Sequence, residues 1–248
     1  MSVTALSTQL AKTAIRPLAT AALLVPPPLH EPLLGFSKEH TYDVASKKDL
    51  GSVMDFVLNE VIPNNPLFKS LRIDKFNGFD VMEFTVRRAL QERHSVVVRD
   101  RASEKVLGVR LLSTAEQFSE KPSASFNATE QDDGVRVLTD MLTNLQLAFW
   151  DSAPGEKKVL RRDLSHVRSK AGAAIFDLEF FGVDEALLRA KGYYGVTAVS
   201  SVPEDTLNLE ASGYRQLCEF TRPNAAPLRL MYRKFEGPVA KEVEPFFL

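Results

Sequence analysis

From Lys157 to Val202 the chain runs strand, small-residue loop, helix, strand, and that order limits what it can fold into more than any other stretch. The β-rich Lys157–Val167 leads into Arg168-Ser169-Lys170-Ala171-Gly172-Ala173-Ala174. Ile175, Leu178, Phe181, Leu187 and Leu188 then mark a helix over Ile175–Ala190, with Gly192 as its C-terminal stop. The β-branched Gly195–Val202 follows. Two strands joined through a helix lie parallel in one sheet, so this unit belongs at a sheet's centre. The loop itself brings backbone N–H groups together at a helix start, with no bulky side chains in the way. Such a loop can hold a phosphate or pyrophosphate, and it can equally be a tight packing turn. Gly172 stands alone, so the loop is not a dinucleotide fingerprint, and no Gly-Lys-Ser/Thr makes it a Walker loop.

The rest of the chain narrows the class. With 248 residues, 44% of them apolar, it can bury one substantial core. A formal net charge of −1, with acids and bases interspersed, argues against a nucleic-acid-binding face. One cysteine, Cys218, excludes an internal disulfide framework and suits a reducing compartment. The four histidines show no metal-ligand spacing. No run of 18 apolar residues spans a membrane. Residues 1–39 read as an extension ahead of a domain at 40–248. Up to His30 the extension holds Lys12 and Arg16 but no acid, a composition shared by mitochondrial transit peptides and by plain disordered tails. The expected location is cytoplasmic, with mitochondrial as the alternative.

Along that domain, Tyr42–Ala45 is a short strand, and Ser46 with Asp49 caps a helix that continues through Val53, Phe56, Val57 and Val61 to Pro63. Phe79–Glu92 is a second helix. Ser95–Arg99 and Val106–Ser113 form a hairpin, and Phe118–Gly134 reads as a polar surface insertion. Val135–Trp150 is helical. Glu204–Ser212 is a short helix stopped by Gly213, before the strands Tyr214–Thr221 and Leu228–Phe235. The result is an α/β fold with a mixed central sheet and flanking helices, a hairpin on each side of the parallel pair.

This order, with a phosphate-type loop after the fourth strand, resembles the GCN5-related N-acetyltransferase superfamily, and its arylalkylamine N-acetyltransferase-like branch in particular. The likeness covers roughly Tyr42 to Phe235 and rests on the segments from Tyr42 to Leu50, Ser95 to Leu111 and Gly182 to Tyr193, and on Gly213-Tyr214. It implies an acyl-CoA N-acyltransferase-like fold that uses acetyl-CoA as co-substrate and takes a small, possibly arylalkyl, amine as partner. It implies cofactor contacts from Val167, Arg168, Ser169, Lys170, Ala171, Gly172, Ala173 and Ala174, and from Asp205 in the short helix. The chain departs from the family at Ser169, where Gln or Arg is usual, and at Asn65, where many relatives place a catalytic Glu before Pro-Leu. It departs again at Asp205, where Asn is frequent, and near Leu209, where many members carry a Tyr that protonates the thiolate.

Acyl transfer to an amine needs a group to take the amine's proton, and an amide such as Asn65 cannot. Glu60, at the end of the first helix, is either that base or a solvated helix residue. His166, on the strand beside the loop, is either the base or a half-buried strand histidine. Strict alternation sets Asp163 and Ser165 on the face opposite His166, so only one of these sets would meet substrate. Two functions follow: an acetyl-CoA-dependent N-acetyltransferase of a small amine, or a catalytically impaired protein of that fold that binds CoA or serves as an interaction module.

Overall fold

The computed structural model describes residues 39–117, 132–168, 183–222 and 225–237. Residues 1–38, 118–131, 169–182, 223–224 and 238–248 lie outside the described residues, and with them the expected pyrophosphate-binding positions Ser169 to Ala174.

Seven strands form one sheet in the order β1-β2-β3-β4-β5-β7-β6. They are β1 His40–Val44, β2 Val96–Asp100, β3 Val106–Glu116, β4 Lys158–Val167, β5 Gly195–Ser200, β6 Arg215–Phe220 and β7 Leu228–Lys234. Every neighbouring pair is antiparallel except β4 and β5, the parallel pair that the chain order demands. The last hairpin folds so that β7 pairs with β5 and leaves β6 at the edge.

The first helical stretch begins at a capping box. The Ser46 backbone N–H and hydroxyl both donate to Asp49, 2.8 and 3.0 Å away. It then runs through α1 Leu50–Phe56, a π-helical turn Val57–Val61 and α2 Ile62–Asn64. The Ile62 N–H reaches back five residues to the Val57 carbonyl, just ahead of Pro63, which has no N–H to offer. The short α3 Pro66–Ser70, for which the sequence carries no apolar period, is capped by Asn65, whose side chain accepts from the Leu67 N–H at 2.9 Å. The helices α4 Phe79–Ala89 and α5 Asp133–Ser152 match the apolar periodicity.

The helix expected over Ile175–Ala190 is not continuous. Val183 and Asp184 are non-helical, the Asp184 carboxylate accepts from the Leu187 N–H at 2.9 Å, and α6 runs over Glu185–Ala190. A side chain that caps locally sets the start of α6 at this point. After β5 comes α7 Pro203–Ala211, closed by Gly213 at φ +85°, a left-handed position that suits glycine.

Two apolar clusters sandwich the sheet. The larger packs α1, α4 and α5 on one face, with Val53, Phe56, Val86, Leu138, Met141 and Leu145 all buried. The smaller packs α6 and α7 on the other, around Leu160, Leu188, Leu209 and Tyr214. Leu209 is fully buried there, among apolar neighbours.

Candidate functional site

The β4–β5 ladder holds only Leu160↔Val196, Arg161↔Thr197 and Arg162↔Ala198. Beyond Arg162, β4 stays paired with β3 but no longer with β5 among the described residues. Among the described residues the edge of β4 from Asp163 onward therefore has no strand partner on that side, and a cleft of about 990 Å³ opens beside it. Asp163 through Val167 line the cleft, together with Val57 and Val61 of the first helical stretch, Arg88 of α4 and Gln146 of α5. From the opposite face of the sheet Arg162, Asp205 and Asn208 also reach it, so the cleft passes through the gap between the two strands.

A bulge decides which side chains share a wall. Leu164 sits opposite Leu111 and Arg162 opposite Leu112, which leaves Asp163 as an extra residue in β4. Paired residues share a face, so Leu164 and His166 point with Leu111 and Val109 toward α1, and Ser165 points with Arg110 the other way. Asp163 is drawn to the His166 side, where its Oδ1 accepts from Arg88 Nη2 at 2.7 Å and from Arg161 Nε at 2.9 Å. The alternation expected from sequence fails here because one inserted residue resets the period of two.

His166 packs its ring against Phe56, centroids 5.9 Å apart. Burial pushes its pKa below the usual value, against the opposing pull of the nearby Glu60 carboxylate. Glu60 lies on the π-helical turn and forms an ion pair with Arg168 at 2.8 Å. Arg168 also ties its backbone N–H to the Leu107 carbonyl at 2.8 Å. Three residues expected at the site, Glu60, His166 and Arg168, are thus brought together, although Glu60 and Arg168 occupy one another. Val167 lines the cleft beside them.

Asp205 also lines the cleft, with its carboxylate engaged by Arg162. The two form a forked pair, 3.1 and 2.7 Å, and the Arg162 side chain is only 4% exposed. Asn65 lines the cleft as well; its side-chain oxygen caps α3 and accepts from Ser201 Oγ at 3.4 Å. Arg88 and Asn208 carry no sequence signal, since each lies on a helix whose neighbour across the cleft is set by tertiary packing. Among the described residues no group of three His, Cys, Asp or Glu could hold a metal ion. No helix among them is long and apolar enough to cross a membrane.

A scan of protein-family models matches nothing in this sequence, and a search of curated proteins finds no significant relative. Solved structures do match. Arylalkylamine N-acetyltransferase 2 from Aedes aegypti superposes with a TM-score of 0.66 at 15% identity, covering 79% of this chain and 99% of that one. The C-terminal condensation domain of Ebony, solved with beta-alanyl-dopamine, gives 0.59 at 13% identity over 79% and 99%. A Drosophila melanogaster polyamine N-acetyltransferase that forms N-acetylagmatine gives 0.55 at 12% identity over 79% and 100%. The fold is therefore that of the GCN5-related N-acetyltransferases. Within it, the architecture is the one found in the arylalkylamine N-acetyltransferases.

Proposed function

We propose that this protein transfers an acetyl group from acetyl-CoA to a small amine. The observation that carries this is the cleft at the β4–β5 divergence, with an imidazole on its wall that burial keeps in the proton-accepting form. The solved neighbours that act on arylalkylamines, polyamines and agmatine support an amine acceptor. In the reaction the amine nitrogen bonds to the acetyl carbon, the carbon–sulfur bond breaks, and the amine's proton ends on the leaving thiolate. The open edge of β4 offers backbone N–H groups to the thioester oxygen. His166 takes the proton first, and Glu60 stabilises the imidazolium so formed. Asn65 is committed to a helix cap, which leaves the base to come from His166. The loop Ser169 to Ala174, with Arg168 at its entrance, seats the pyrophosphate.

Titration calorimetry of the full chain with acetyl-CoA, followed by thiol release with a panel of amines, tests this. Micromolar binding and turnover are expected, with His166→Gln lowering kcat by roughly a hundredfold or more. Gly172→Glu should abolish acetyl-CoA binding, since a carboxylate there repels the pyrophosphate. A folded protein with no affinity for acetyl-CoA overturns the reading and leaves an interaction module of the same fold.

A further inference from the structure

In the acyl-transfer reading Arg168 has both Glu60 and the pyrophosphate to hold, and Glu60 has both Arg168 and His166. Neither side chain can serve two partners at once. In this structure they hold one another, Arg168 Nη2 to Glu60 Oε1 at 2.8 Å. With 35% of the arginine side chain and 26% of the glutamate side chain exposed, the pair is weakly held and open to competition from an anion. The Arg168 Nε is buried and donates to nothing. Both backbones are pinned. The Arg168 N–H donates to the Leu107 carbonyl at 2.8 Å, and Asn64 Nδ2 donates to the Glu60 carbonyl at 2.8 Å. An exchange of partners is therefore carried by the side chains alone. His166, meanwhile, has nothing to orient it. Among the described residues no hydrogen bond reaches its imidazole, which touches the Phe56 ring, and its partner on β3 is the apolar Val109.

We propose that Arg168 couples the donor's seat to the base: a phosphate drawn to Arg168 frees Glu60, and Glu60 turns to orient the His166 imidazole. The inference rests on the acyl-transfer reading. Arg168 and Glu60 are positioning residues that act through His166. Several charges surround that imidazole. Glu60 approaches from the π-helical turn, and Asp163 shares its face with Arg88 and Arg161 attached. Arg162 and, on α7, Glu204 and Asp205 line the cleft beyond the β4–β5 gap. Of these, Glu60 is the charge that acts on the imidazole, against the effect of burial. While Arg168 holds it, that help is partial. Once freed, the carboxylate accepts from one ring N–H, which leaves the other nitrogen bare toward the amine. The base is thus readied only when the thioester is in place. Such coupling is reciprocal, so a protonated His166 in turn tightens the donor.

The test follows the His166 ring signal of the isotope-labelled full chain by NMR across pH, the signal being identified by its loss in His166→Gln. Saturating acetyl-CoA should move the midpoint up toward the ordinary histidine value by roughly half a pH unit or more, and inorganic pyrophosphate alone should do the same. Arg168→Met should raise the midpoint without ligand, and Arg168→Lys should restore the wild-type response. Glu60→Gln should abolish the response to either ligand. A midpoint that stays put while calorimetry shows acetyl-CoA bound overturns the proposal and leaves the transferase reading intact. So does an unmoved midpoint in Arg168→Met, or an equal response in Glu60→Gln, which assigns it to the phosphate's own charge. If acetyl-CoA does not bind, the transferase reading falls. The coupling then stands if pyrophosphate binds and moves the midpoint, and otherwise falls as well.

Discussion

The Arg162 guanidinium lies at the last rung of the β4–β5 ladder with its charge almost wholly out of water. Such a charge is tolerable only when paired, and Asp205 supplies the pair from the first turn of α7. Asp205→Ala should therefore cost roughly 2–3 kcal/mol in urea unfolding, less than a fully buried pair because Asp205 is 34% exposed. A cost near zero would mean that the arginine finds water or another partner. His166 belongs to the same scale. Its lowered pKa places the low-pH limb of kcat/KM below 6.5, so activity holds at neutrality and falls as the imidazole is protonated. A limb above 6.5 would show a different base.

Among the elements, β5 depends on a residue with no side chain. A Cβ on Gly195 would sit 2.4 Å from the Arg233 carbonyl and 2.6 Å from the Tyr232 ring and hydroxyl, so β7 could not keep its place against β5. Gly195→Ala should destabilise by roughly 1–3 kcal/mol, seen as a lower midpoint in denaturant. The strain falls beside the strand that forms one side of the cleft, so acetyl-CoA affinity should drop with it. The elements themselves were largely legible. Apolar periods mark α4 and α5, the Ser46–Asp49 box marks the first helix start, and Gly213 marks the end of α7. The sequence misleads where a local side-chain bond sets a helix start inside the period, as at Asp184, or where a cap and a proline make a helix too short to show one, as in α3.

For the whole molecule, pH dependence follows from two half-buried histidines, His94 beside Tyr193 and His166 beside Phe56. His94 and His166 both have pKa values lowered first by burial. His94 also faces Glu92, 3.7 Å away, and the Tyr193 ring, with Lys191, Lys158 and Arg110 adding positive charge. In the unfolded chain both titrate near 6.5, so below that value the unfolded state binds more protons than the folded one. Stability should then decline as pH falls through about 6.5 and level off below the folded pKa values. Melting temperature across that window should show the slope, and His94→Gln with His166→Gln should flatten it. An equal slope in the double variant would assign the effect to other groups.

Chain order and small-residue spacing alone determined the parallel β4–β5 pair, the flanking hairpins and the strand on which His166 sits, because these depend on periods of two and 3.6 and on turn chemistry that neighbouring residues carry. The cleft was decided elsewhere. One extra residue in β4 turns Asp163 to the face of His166, and the early end of the β4–β5 ladder opens the gap. Arg88 and Asp205 arrive from helices 75 and 42 residues away along the chain, numbered from Asp163. Register, bulges and contacts between distant segments are set by the packing of complete surfaces, and no local window of the sequence contains them.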